Sequence, residues 1–230
     1  MISGFTLPLP SGCTLALAGF IGGFLTVFAA MGISLRFDPR LSNTSVILTG
    51  MVLSLFVNAL LTLLTSFSGD HLKQLVFWQM GSFSGESWTS CAVLGIVLLA
   101  GFIFLCRFDR EMDLMSFGEE QALSAGVELK KVKLLLIACA SLLTGTAVAF
   151  TGVIGFVDLI VPHVARRLFG SRHRLLMPVS VLMGGGFMVL ADLIGRTVVA
   201  PTELPVGAVT ALVGAPFFVW VYFKRKGQRK

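Results

Sequence analysis

Few residues in this chain could do chemistry, and most of them interrupt apolar sequence. Asp158, Pro162 and His163 fall together in GVIGFVDLIVPHVA at 152–165. An acid and an imidazole within an apolar stretch could relay protons, because an intramembrane carboxylate is costly unless it faces water or a partner. The simpler reading of His163 is a histidine packed near the end of a proline-kinked helix. Asp192 and Arg196 stand at i and i+4 in the favourable acid-before-base order. They could neutralise each other with Arg196 snorkelling outward, or present the guanidinium to a partner. No G-x-x-x-x-G-K-[ST] phosphate loop, HExxH pair, Ser/His/Asp set or paired intramembrane carboxylate occurs. We therefore expect no catalytic residues, no ATPase site, no metal site and no cofactor. Cys13, Cys91, Cys106 and Cys139 lie apart in or beside apolar runs, so they read as inert thiols, outside any disulfide or metal framework.

The elements that carry these residues follow from composition. Of the 230 residues, 55% are hydrophobic and only 13% charged, against about 25% charged in soluble domains. No charge occurs before Arg36, from Leu41 to Gly69, from Ser87 to Cys106 or from Leu134 to Val157. Each gap reaches the ~18–20 residues that a helix needs to cross a ~30 Å hydrocarbon layer. Spans are predicted near 10–35, 45–67, 88–106, 134–151, 175–195 and 204–223, with 152–165 as a short seventh of bent or re-entrant backbone. A crossing at 152–165, with the tail KRKGQRK in the cytoplasm, puts 16 basic residues inside and only Lys73 and Arg196 outside. The expected fold is an all-α polytopic transmembrane bundle of about seven spans, residues 1–230 forming one domain, N-terminus outside and C-terminus cytoplasmic. The net charge of +6 then sets orientation in a lipid membrane, and no nucleic-acid partner is implied. No positive n-region precedes the first apolar run, so that run reads as structure and not as a cleaved signal. Small residues four apart, Gly19/Gly23, Gly145/Ala149 and Gly207/Ala211/Ala215, predict close helix approach.

The longest polar segment is the loop 107–133, RFDREMDLMSFGEEQALSAGVELKKVK, placed in the cytoplasm by the charge bias. Gly118, Glu119 and Ala122, then Ala125 and Gly126, read as a short helix stopped by glycine, with a second turn leading to Lys130 and Lys131. Such a loop is either a solvated connector or a docking surface for a cytosolic partner. Trp78, just before Met80 and Gly81, most simply anchors an interface.

Five motifs in order carry a family resemblance: Trp78-Gln79-Met80-Gly81-Ser82; Gly118-Glu119 with Ala122 and Gly126; GVIGFVDLIVPHVARRLFG at 152–170, running on to His173-Arg174; Ala191-Asp192 with Arg196; and ELPVGAVTALVGAPFFVW at 203–220. From about residue 9 onward the chain resembles the FecCD-type permease subunits of type II ABC importers, which take up iron-siderophore, haem or cobalamin. The resemblance implies a permease of the inner, cytoplasmic membrane that pairs with a second permease copy or paralogue, with cytosolic ABC ATPase subunits and with an extracytoplasmic substrate-binding protein. It implies ATPase coupling through Gly118, Glu119, Ala122 and Gly126, and binding-protein docking at Arg196. It also implies that Trp78, Met80, Gly81 and Ser82 border the outer mouth of the pathway, and the pathway or gate expected here further takes in Asp158, Pro162, His163, Pro205 and Gly207.

Two departures from the family stand out. This chain corresponds to the last seven of ten spans, without the first three or the Asn-Pro-rich motif after the second, which leaves a piece of a longer chain, a functional short form or a non-transporting remnant open. Asp158 stands where the family usually has glycine. A proton-coupled secondary transporter using Asp158 and His163 is the rival class, and the internal repeats common in such transporters are not evident.

Overall fold

The computed structural model describes residues 11–38, 42–67, 76 and 78–227. Expectations for Arg40, Lys73, Arg229 and Lys230 lie outside the described residues. The described residues form helices joined by short irregular segments: α1 (Ser11–Phe37), α2 (Asn43–Ser66), α3 (Trp88–Cys106), α4 (Asp109–Ser116), α5 (Glu119–Ser124), α6 (Leu129–Thr151), α7 (Val157–Phe169), α8 (His173–Thr197) and α9 (Val206–Gly227). No strand occurs among the described residues. Thr44–Ser66, α3, α6 and α8 are long and apolar enough to cross a membrane, and Ile21–Phe37 and Val206–Val221 are shorter apolar helical stretches. The predicted 88–106 helix matches α3 to the residue, because Glu86 and Arg107 bracket a charge-free run.

The chain groups into two compact units. The first holds α1, α2, α3 and most of α6. Here α1 meets α6 where Gly23 faces Gly145, a Cβ on Gly23 falling 3.5 Å from the Gly145 Cα. The predicted small-residue approach is thus realised at two of its positions. The Ser34 and Ser45 hydroxyls join α1 to α2 at 3.3 Å, and Leu143 of α6 fills the space beside Gly101 of α3. Exposed Leu55, Leu60, Leu63 and Leu64 on α2 suit a helix whose solvent is lipid or a neighbouring span.

The second unit holds residues 78–85, α4, α5, α7, α8 and α9. Its α7 and α9 pack on α8 and on each other, and α4 packs on α5 and α8. A core of Ala191, Val206 and Val209, flanked by Phe83, Ile154 and Met188, joins the end of α8 to the start of α9.

The stretch expected to form a short seventh span is a helix preceded by a break. Residues 152–155 are non-helical, and α7 then runs 13 residues through Pro162, about 20 Å at helical rise. The bend lies ahead of the helix, at Phe156, whose φ of 67° is left-handed. Pro162 has no N–H to give the Asp158 carbonyl but does not end the helix. The polar loop differs from expectation by one element. Residues 109–116, to which the sequence reading assigned no helix, form α4, with Asp109 and Glu111 favouring its N-terminal end.

Candidate functional site

Three segments of the second unit converge where α7, α8 and α9 meet. The first is the turn Trp78–Ser82, closed by Gly81 N–H donating to the Trp78 carbonyl at 3.2 Å. The second is the stretch after α6, tied to it by Ser82 N–H donating to the Thr151 carbonyl at 2.9 Å. That bond satisfies backbone which has left the helical ladder, a need that becomes severe in hydrocarbon. The third is the start of α9, where the Pro205 carbonyl accepts from the Ala208 N–H at 3.0 Å and Thr210, fully buried, donates to the Gly207 carbonyl at 3.0 Å.

The segments approach at glycines. A Cβ on Gly207 would strike the Met80 carbonyl oxygen and come 3.0 Å from the Val153 oxygen, and one on Gly152 would strike the Trp78 carbonyl oxygen. Backbone atoms cannot swing aside as a side-chain tip can, so the approach requires hydrogen at these Cα atoms. The ring of Phe156 lies over Gly214 of α9, which holds the left-handed residue in place. Trp78, Met80, Gly81, Ser82, Pro205 and Gly207 are thereby brought together at the 152–156 break. Trp78 and Met80 are exposed, Gly81 is buried, and Ser82 and Pro205 are half-buried.

Asp158 and His163 lie farther along α7, at its first turn and just after Pro162. Asp158 is exposed in the first turn, where the helix dipole favours a carboxylate. His163 stands edge-on to Phe217 of α9 with ring centroids 6.4 Å apart. No hydrogen bond joins the two among the described residues.

At the far end of α8, Arg196 is shared between two carboxylates of its own chain. Its Nε donates to Asp192 Oδ2 at 2.8 Å and its Nη1 to Glu203 Oε1 at 3.4 Å. The Asp192 contact is the predicted i,i+4 pair. Glu203 arrives because Leu204 N–H donates to the Gly195 carbonyl at 2.9 Å, folding the turn back on the helix. The guanidinium stays exposed, in a group of three charges that sum to minus one.

The polar loop is built around α4 and α5. The Gly118 carbonyl accepts from the Ala122 N–H at 3.1 Å, and Gly126 follows α5 at φ 86°, with open space where a side chain would stand. That left-handed stop is the one read from sequence. Ala122 departs from the reading that it receives a partner: it is 0% exposed within its own chain. Phe117 and Leu123 are instead the apolar side chains that stand out, 76% and 57% exposed. Sequence reasoning missed both, and the available signal was two large apolar residues in a segment dominated by charge. Asp113 of α4 was missed too. Its Oδ1 accepts from the His173 backbone N–H at 2.9 Å and lies 2.6 Å from His173 Nδ1. These hydrogen bonds, aided by the positive charge of Arg172, hold its carboxyl below the usual carboxylate range. Among the described residues no group of His, Cys, Asp and Glu could hold a metal ion.

Comparison with known proteins gives this arrangement its context. The profile of the FecCD transport family matches residues 1–224. The chain is 38% identical over 222 residues to the uncharacterised ABC transporter permease protein YvrB of Bacillus subtilis, covering 96% of this chain and 63% of that one. It is 36% identical to the cobalamin import system permease protein BtuC of Halobacterium salinarum, covering 98% and 60%. To the vitamin B12 import system permease protein BtuC of Vibrio vulnificus it is 37% identical, covering 97% and 67%. It thus spans about three fifths to two thirds of the length of these relatives. A solved inward-facing conformation, of a transporter assigned to the metal-chelate ABC type, superposes with a TM-score of 0.80 at 31% identity, covering 91% of this chain and 72% of that one. The glycine-lined turn of α9, the broken segment before α7 and the capped α5 all fall within the matched residues, and the chain belongs to the FecCD transport family.

Proposed function

We propose that this chain is membrane-spanning permease sequence of an ATP-driven importer for metal chelates, acting in the cytoplasmic membrane. Family membership across residues 1–224 is the observation that carries the reading. The sequence holds no phosphate-binding loop, and in this reading ATP is hydrolysed on partner subunits, so that work enters through a cytosolic surface. The α4–α5 element supplies one, with Phe117 and Leu123 exposed beside the Gly118 and Gly126 turns and Glu119 at the start of α5. An extracytoplasmic binding protein would deliver cargo, Arg196 meeting its acidic groups in exchange for Asp192 or Glu203. Cargo would pass between this chain and a second permease, along the surface that carries Trp78, Met80, Gly81, Ser82, Asp158, Pro162, His163, Pro205 and Gly207. Iron-siderophore, haem and cobalamin chelates are the substrate class, and the cobalamin and vitamin B12 names of two relatives put corrinoids first to test.

Association with the ATPase subunit tests the reading. Leu123→Asp leaves every long apolar helix untouched, so the protein should still insert, and co-purification with the ATPase should fall sharply. Gly126→Val should act similarly, since a β-branched residue in the left-handed region costs about 1–2 kcal/mol. Full association and normal stimulated hydrolysis in both variants would make the loop a solvated connector and remove the coupling assignment.

A further inference from the structure

We propose that the Asp113–His173 contact is the link through which α4 and α5 move α8, with Asp113 a positioning residue that acts through His173. The inference rests on the permease reading above and adds the route by which motion leaves the coupling element.

The start of α8 lacks the groups that ordinarily hold a helix end. Its N-cap, Arg172, makes no side-chain capping bond, and its first turn has no acidic residue. Free N–H groups and the positive end of the dipole there call for an oxygen acceptor. Asp113 supplies it from another helix, 60 residues earlier in the chain: one carboxylate oxygen takes the His173 N–H at 2.9 Å and meets the imidazole Nδ1 at 2.6 Å. Hydrogen bonds to an ionised acceptor are short and about twice as strong as neutral ones. The backbone donor means that the carboxylate grips the helix itself and not merely a mobile side chain.

Continuity on both sides makes this contact a mechanical one. On one side α4 passes into α5 through a tight turn, Phe117 and Gly118 N–H donating to the Leu114 and Met115 carbonyls, each at 3.2 Å. On the other, α8 runs as one helix of 25 residues, about 37 Å, to Gly195 and Arg196. There the Gly195–Leu204 hydrogen bond and the Arg196–Glu203 pair attach the turn into α9, whose Gly207 lies under the Met80 carbonyl. A shift of α4 would therefore be felt at the glycine-lined approach without passing through any other loop.

The test uses the assembled transporter with Asp113→Ala, Asp113→Glu and His173→Ala beside the wild type. Co-purification with the ATPase and basal hydrolysis should stay within about twofold of wild type, while the increment stimulated by binding protein falls about tenfold in Asp113→Ala, the factor for losing a hydrogen bond to a charged group. Asp113→Glu should restore part of that increment, and His173→Ala, which keeps the backbone donor, should retain more of it than Asp113→Ala. An environment-sensitive probe attached through Val199→Cys should respond to ATP when Asp113 is present and not when Asp113→Ala is combined with it. Stimulation and probe response equal to wild type in Asp113→Ala would overturn the link, as would parallel loss of assembly and stimulation in all three variants, which marks a purely structural tie. A wild-type chain that never binds the ATPase would overturn the permease reading and the link with it, whereas a stimulated wild type with an equally stimulated Asp113→Ala overturns the link alone.

Discussion

Asp113 and Arg196 show what a single charged residue can and cannot reveal from its place in the sequence. The Asp192–Arg196 pair was legible because four residues on a helix fix its geometry, and the structure gives it at 2.8 Å. Glu203 and the Asp113–His173 contact were not, because each depends on where a turn or a distant helix comes to rest. Asp113 also makes a prediction at this scale. Its folded-state pKa is depressed, so its contribution to stability is complete above the ordinary carboxylate value of about 3.9 and is lost as pH falls through the lower folded value. A carbon-13 titration of the labelled Asp113 carboxyl should show a midpoint below that of a free aspartate, and His173→Ala should raise it. A midpoint at or above the free value in the unmutated protein would mean that the two donors do not hold the carboxylate.

The elements divide by whether their boundaries are written locally. Helix α3 could be read to the residue from flanking charges, and the glycine stop after α5 from Gly126, which adopts the left-handed φ that its type favours. Helix α4 could not, since DREMDLMS has too little apolar pattern to separate a packed helix from a solvated connector. The sequence also marked 152–165 as bent, with Pro162 the obvious suspect, yet the bend is at Phe156, a residue type that seldom adopts positive φ. Its position is tertiary in origin: Gly214 accommodates the ring and Gly152 admits the Trp78 carbonyl. Crowding at the neighbouring approach gives the element-scale prediction. Gly207→Val places branched carbons against the Met80 and Val153 carbonyls and should destabilise the fold by about 1–3 kcal/mol, the usual range for overpacking. Thermal unfolding in detergent would detect it as a lowered midpoint. An unchanged midpoint would show that the three segments do not need their close contact.

For the whole molecule, the charge pattern predicts how the helices cross the membrane. Seven crossings with a cytoplasmic C-terminus would put 16 basic residues on one side and only Lys73 and Arg196 on the other, the arrangement that the positive-inside rule favours. Reporter fusions after Arg174 and after Lys230 should both read cytoplasmic, and an external signal at Arg174 would mean that α7 does not cross. How cargo is driven is the claim on which the account turns. The measurement that tests it most directly is uptake of radiolabelled cobalamin into proteoliposomes holding this chain with its ATPase and permease partners, the binding protein being supplied outside. Accumulation should require ATP inside and the binding protein outside, and should persist when a protonophore collapses the proton gradient. Uptake that proceeds without the ATPase and disappears with the proton gradient would contradict the account and restore Asp158 and His163 as a proton pathway.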